Sequence, residues 1–240
     1  MGFLNRIGLG NTRAAGTSGA AVLRTHVPAT ATALAAPSFA PRETRGSNSL
    51  KDFLWHLGGL GRGNLLDLGP VWQSTVSFFI ERGFKVSTED VLTGWKQISQ
   101  EDAERQRALP ADAERVSRAE LAKAFLDTSL QYAPGSFDAI LAWDVLDYLE
   151  DDAMKLVADR LRSLVREGGV ILAMFHSKRP QQFQRYRILD EKTLEMVPSS
   201  SIFPMARLFQ NREISDLFSR FHTSKTYLGR DQLREGLFVK

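Results

Sequence analysis

The sequence predicts an α/β domain of the doubly wound kind, with a mostly parallel seven-stranded sheet and an antiparallel C-terminal strand. Three observations predict it. Strand-like and helix-like segments alternate from about residue 50 onward. Val170-Ile-Leu-Ala-Met-Phe175 is apolar without alternation, the pattern of a central parallel strand covered on both faces. Acidic residues close successive strand-like runs at Asp67, Glu89-Asp90, Asp127 and Asp144, and open α/β sheets bind ligands at the carboxyl ends of their strands.

In chain order, residues 1–48 carry little periodic pattern and read as a disordered Ala/Ser/Thr/Arg-rich tail. The folded domain is expected over 49–240. Ser49 is placed to cap a helix opening at Leu50 and stopped by Gly58-Gly59. Asn64-Leu-Leu-Asp-Leu68 reads as the first strand. Ser74 or Thr75 opens a helix with Val76, Phe79 and Ile80 on one face, ended by Gly83. Phe84–Thr88 reads as the second strand and Phe125-Leu126 as a very short third, with a polar, mostly helical stretch at 96–124 broken by Pro110. Phe137–Trp143 is the fourth. The next helix starts with Glu150, Asp151 and Asp152 and ends with Arg160, Arg162 and Arg166, a distribution that complements the helix dipole. After the fifth strand, Ile214–Phe221 looks helical, and runs at 223–228 and 236–240 suit an antiparallel pair.

Composition limits the chemistry. The chain has 240 residues, 43% hydrophobic and 25% charged, ordinary for a globular protein. It has no cysteine, which removes disulfides, thiolate metal sites and cysteine nucleophiles. Residues 1–50 hold five arginines against Glu43 alone. The net charge of +3 therefore leaves the rest of the chain at −1, which disfavours a folded nucleic-acid binder. No apolar run reaches the roughly 18 residues that span a bilayer. A cytoplasmic location is the expectation, with an organellar transit peptide as the other reading of the acid-poor N-terminus.

Leu65-Leu-Asp-Leu-Gly69 and Glu81-Arg-Gly-Phe-Lys-Val-Ser-Thr-Glu-Asp90 together resemble the first two strands of class I, Rossmann-like S-adenosylmethionine (SAM) methyltransferases. Ser136-Phe-Asp138 with Asp144-Val-Leu-Asp-Tyr-Leu149 is similar to that family's fourth strand and the segment after it. Arg166-Glu-Gly-Gly169 resembles the turn into its fifth, and the terminal pair resembles its sixth and seventh. The resemblance covers about residues 50–240. It implies SAM as cofactor, with Asp67, Gly69 and Pro70 near its methionine portion. Asp90 would take the ribose hydroxyls, with Glu89 as the fallback, and Asp127 the adenine amino group. Asp144 would stand at the rim. Where the family has further glycines, this chain reads Pro70-Val-Trp-Gln73; Pro70 has no N–H and Val71 adds a branched side chain.

Asp144, Asp147 and His176 are the candidates for a general base, against the plainer readings of helix-start carboxylates and a structural histidine. The resemblance implies methyl transfer to a small molecule. A non-catalytic methyltransferase-like module is the alternative that the altered loop supports. RNA methylation lacks its Asn/Asp-Pro-Pro-Tyr/Phe signature. Nicotinamide chemistry needs a glycine cluster after the first strand, whereas Gly58–Gly63 precedes it.

Overall fold

The computed structural model describes residues 42–110, 112–199 and 203–240. Most of the expected tail, residues 1–41, lies outside them. The first element among the described residues is β1, Glu43–Gly46. Ser47, not Ser49, caps α1 (Asn48–Gly58), its hydroxyl accepting the Leu50 amide at 3.0 Å. Ser49 lies inside the helix.

The main sheet contains six strands in the order β3-β2-β4-β5-β9-β8. These are β2 (Gly63–Asp67), β3 (Phe84–Thr88), β4 (Phe137–Trp143), β5 (Val165–His176), β8 (Thr223–Leu228) and β9 (Leu233–Val239). Strands β3, β2, β4 and β5 run parallel, and β9 enters antiparallel between β5 and β8. This is a Rossmann-like sheet, with the antiparallel strand where the sequence places one.

Among the described residues the sheet has no seventh strand. Phe125-Leu126 belongs to α4 (Arg118–Leu126), which has a complete capping box between Ser117 and Glu120. That box satisfies the helix's first amides, and Leu121, Ala122 and Phe125 then fall on one buried face. Helical spacing thus accounts for the apolar pair assigned to a strand, and β3 is left as a sheet edge.

Successive residues of the central strands enter opposite cores. Leu65, Ala139, Leu141, Leu172 and Met174 pack with Leu50, Phe53 and Phe79 from α1 and α2 (Gln73–Ile80). Leu66, Ile140, Ala142, Ile171 and Ala173 pack with α3 (Val91–Ala108), α4 and α5 (Asp151–Leu164). Burial on both faces is why these strands show no alternation. α6 (Asn211–Leu217) adds Ile214 to the second core. Among the described residues no helix is long and apolar enough to cross a membrane.

A second, three-stranded antiparallel sheet has the order β1-β7-β6, with β6 (Gln184–Ile188) and β7 (Thr193–Pro198) forming a hairpin. Buried charge fixes the start of the fold to the main sheet. Glu235 of β9, 2% exposed, accepts the Ser47 hydroxyl and the Ser49 amide, both at 2.9 Å, and pairs with Arg45 at 2.8 Å. Truncating one partner of a buried charged pair leaves the other unpaired, at about 3–5 kcal/mol. Arg45 also pairs with Asp231, so Glu235→Ala is expected to cost about 3 kcal/mol in urea unfolding. A loss below about 1 kcal/mol would show the network to be dispensable.

Candidate functional site

The carboxyl ends of β2, β3, β4 and β5 form one rim, and most of the predicted residues stand on it. Asp67 ends β2 and is fully buried. Its Oδ1 accepts the Trp143 indole N–H at 2.6 Å and the Gly69 amide at 3.1 Å, while Oδ2 has no partner. Burial, the larger influence, pushes its pKa up to about 7 against those two hydrogen bonds.

Trp143 reaches Asp67 through an unusual backbone. It ends β4 with φ +47°, a left-handed conformation costly for a bulky residue. The β4–β5 register shifts between Leu141 and Trp143. The indole lies against Gly69, where a Cβ would meet Nε1 at 3.2 Å and Cδ1 at 3.3 Å. A side chain at position 69 would therefore crowd the indole, which would have to give by a few tenths of an ångström. Beyond it Pro70 is half-buried and Val71 is 68% exposed. The branched side chain of Val71 thus turns outward. Trp72 turns inward with a buried, unpartnered Nε1, and the Arg187 guanidinium sits 5.5 Å from its ring centroid.

At β3, Glu89 and Asp90 diverge. Glu89 Oε1 accepts the Leu130 amide at 2.7 Å, tying β3 to the loop after α4. Asp90 caps α3, accepting the Thr93 amide at 3.1 Å and hydroxyl at 2.8 Å. Its Oδ2 also pairs with Arg185 of β6 at 3.0 Å. The Arg185 guanidinium lies 4.8 Å from the Phe183 ring and 5.3 Å from that of Phe203. Asp127 is not at a strand tip. It is the exposed C-cap of α4, a consequence of the helix that replaces the expected third strand.

Asp144 and His176 converge from β4 and β5. His176 Nε2 lies 3.0 Å from Asp144 Oδ2. Tyr186 of β6 donates its hydroxyl to the same oxygen at 3.2 Å and stacks on Trp143, with ring centroids 5.8 Å apart at 14°. Burial, then the charge of Asp144, drives the Tyr186 pKa well above its usual value, so its hydroxyl remains a donor. A carboxylate only accepts. Toward an ionised Asp144, His176 Nε2 is therefore the donor of this pair. His176 and Tyr186 line a cavity of about 590 Å³ whose mouth includes Lys178, Arg179, Arg230 and Gln232.

Asp147 sits behind this pair in a turn of 3-10 helix, Val145–Tyr148. It is fully buried, and its Oδ2 accepts the His176 backbone amide at 2.6 Å. Burial raises its pKa well above the usual range, opposed mainly by that bond. It faces the backbone of β5 and holds His176 in place.

The structure therefore joins Asp67, Trp143, Asp144, His176 and Tyr186 by contact. Sequence reasoning missed Arg185 and Tyr186, which come from a hairpin more than 90 residues from Asp67 and Asp90. The signal available was local: Phe183, Tyr186 and Ile188 interleaved with Gln184, Arg185 and Arg187.

No protein-family model and no curated protein matches the chain. Solved structures resemble it. A Burkholderia thailandensis 1,6-didemethyltoxoflavin-N1-methyltransferase with bound 1,6-didemethyltoxoflavin and S-adenosylhomocysteine is 17% identical, covering 79% of this chain and 74% of its own, at a TM-score of 0.43. The N-methyltransferase NodS of Bradyrhizobium japonicum is 15% identical over 79% of this chain and 92% of its own, at 0.40. A SAM-dependent methyltransferase of Aquifex aeolicus is 8% identical over 78% and 88%, at 0.41. The fold assignment rests on the strand order itself.

The buried Asp67 carboxyl links stability to pH. Its folded pKa is raised from 3.8 to about 7. Its contribution to stability is present in full below about pH 4 and is lost as pH rises through about 7. The loss is on the order of 4 kcal/mol at about 1.4 kcal/mol per pH unit. Asp67→Asn keeps an acceptor for Trp143 and Gly69 but cannot ionise. Unfolding free energies measured from pH 4.5 to 8 should fall more steeply for the wild type than for the variant; parallel curves would refute the assignment.

Proposed function

We propose that this protein transfers a methyl group from SAM to a small acceptor, with the donor on the Asp67–Asp90 rim and the acceptor in the His176 cavity. The observation that carries the reading is the continuous contact from the buried Asp67 carboxyl through Trp143 to the Asp144–His176 pair at an open cavity. It places an acidic rim suited to a cationic donor beside a base suited to an acceptor.

The donor set fits SAM in chemistry. The free Oδ2 of Asp67 is an unfilled buried acceptor, suited to the ammonium of the methionine portion. Asp90 carries the carboxylate suited to vicinal hydroxyls. The rim does not accept a ribose while Arg185 holds Asp90, so binding requires Asp90 to exchange that guanidinium for the hydroxyls. Glu89, engaged by Leu130, is the weaker candidate. Pro70 and Gly69 set the loop's course, and the exposed position of Asp127 removes it from our assignment.

When bound, SAM supplies a methyl group on a sulfonium. His176 Nδ1 takes the acceptor's proton, Asp144 and Tyr186 hold the imidazole, and Asp147 fixes its backbone. The acceptor's lone pair would form the new bond to the methyl carbon and the C–S electrons would remain on sulfur. The proton leaves His176 for solvent. Positioning of this kind can supply roughly 7–11 kcal/mol of barrier reduction.

One observation favours the non-catalytic module. The Asp90 carboxylate and Asp67 Oδ1 are both satisfied by the protein's own side chains, as they would be in a rim that has closed permanently. Calorimetry with SAM and S-adenosylhomocysteine separates the readings. The enzyme reading expects micromolar binding, weakened about a hundredfold in Asp90→Ala through loss of two charged hydrogen bonds. It expects binding tightened about tenfold in Arg185→Ala, where the competing guanidinium is gone. The absence of heat in all three proteins establishes the module instead.

If Asp67 Oδ2 receives the ammonium, its pKa falls on binding. SAM binding at pH 6 should then release about one proton and at pH 8.5 almost none. Calorimetry in buffers of different ionisation enthalpy reads this directly, and equal release at both pH values would remove Asp67 from the donor site.

A further inference from the structure

The cavity beside His176 carries positive charge that its surroundings do not cancel. Lys178, Arg179 and Arg230 line it, and none of them forms an ion pair with another described residue. Arg179 donates only to the Met205 carbonyl, at 3.1 Å. Of the two acids on the same wall, Asp231 is already paired with Arg45 at 2.8 Å. Arg45 is in turn held by Glu235, so this acid cannot turn toward the cavity cations without breaking a buried network. Glu43 alone remains to oppose three cations. The arginines nearer the buried core are paired differently: Arg185 with Asp90, Arg187 with Glu195, and Arg207 with Asp151 and Glu213.

The floor of the cavity is different in kind. His176 and Tyr186 are 8% and 3% exposed, and both are committed to Asp144. The imidazole leaves Nδ1 as its ring nitrogen not bonded to Asp144, and the cavity wall around it carries three cations, amide side chains and the acids Glu43 and Asp231. A concave site with one sign of charge concentrates the field on its contents, and guanidinium groups match carboxylate geometry.

We propose that this cavity selects a small anion, a carboxylate that also bears a hydroxyl or amine. The carboxylate is held by Lys178 and Arg230 at the mouth, and the hydroxyl or amine hydrogen-bonds to His176 Nδ1. The proposal deepens the methyl-transfer reading by naming its acceptor class, and so rests on it for the reaction, though not for the binding. In that reaction the proton and electron balance is the one given above, with the carboxylate unchanged.

The test uses the full chain without SAM. A fragment set of hydroxy- and amino-carboxylates, each paired with its uncharged primary amide, is screened by ligand-observed NMR, while the histidine ring resonances of the protein are followed. Acids are expected to bind at least about tenfold more tightly than their amides, with affinity falling as salt is raised. They should also shift the His176 ring signals. Both substituted cations are exposed, so Lys178→Ser with Arg230→Ser should fold normally and lose the acid preference. Amides binding as well as acids, a preference that survives the double substitution, or no acid shifting His176 would each overturn the proposal. Calorimetry with SAM on the same protein keeps the two readings apart. Acid binding without SAM binding overturns the donor reading and leaves this site standing, whereas SAM binding without acid preference does the reverse.

Discussion

A carboxyl group buried at the tip of β2 must be given donors, and Trp143 supplies the one that organises the site. To bring its indole N–H to Asp67 at 2.6 Å, β4 ends in a left-handed residue and its register with β5 slips. The same indole closes on Gly69 and provides the surface on which Tyr186 stacks. An unpartnered buried carboxyl oxygen costs of the order of 1–3 kcal/mol. Asp67 carries one even after these arrangements, which marks the rim as a place where stability has been given up.

The β6–β7 hairpin joins the two halves of the site. Its first strand sends Arg185 to the donor rim at Asp90 and Tyr186 to Asp144 beside the cavity. Neighbouring residues of one strand thus reach both Asp90 and Asp144. The hairpin is itself attached to β1 through β7. Arg45 of β1 is locked to Glu235 and Asp231, next to the cavity wall. Asp90, Asp144 and β1 are therefore all joined through this one hairpin.

Charge follows the same division. The donor rim is acidic and largely buried, whereas the cavity mouth is cationic and exposed. A sulfonium donor and an anionic acceptor would each meet the opposite sign on its own side of Trp143. Across so short a contact path, such separation favours two different ligands over two copies of one.

The sequence by itself determined the sheet. Unalternating runs at 137–143 and 170–175 required strands buried on both faces, and the acidic ends at Asp67, Asp90 and Asp144 were legible because strand ends are local features. It misplaced Phe125-Leu126, since two apolar residues fit a helix face as well as a strand and only the Ser117–Glu120 cap decides. It placed Asp127 at a tip for the same reason. What tertiary structure alone decided is how the carboxylates are spent: Asp67 on an indole 76 residues away, Asp90 on an arginine 95 residues away, Asp144 on His176 and Tyr186. Hydrogen bonds across such separations leave no periodic trace. They are chosen by which side chains burial brings within 3 Å, and a composition or spacing rule has no access to that.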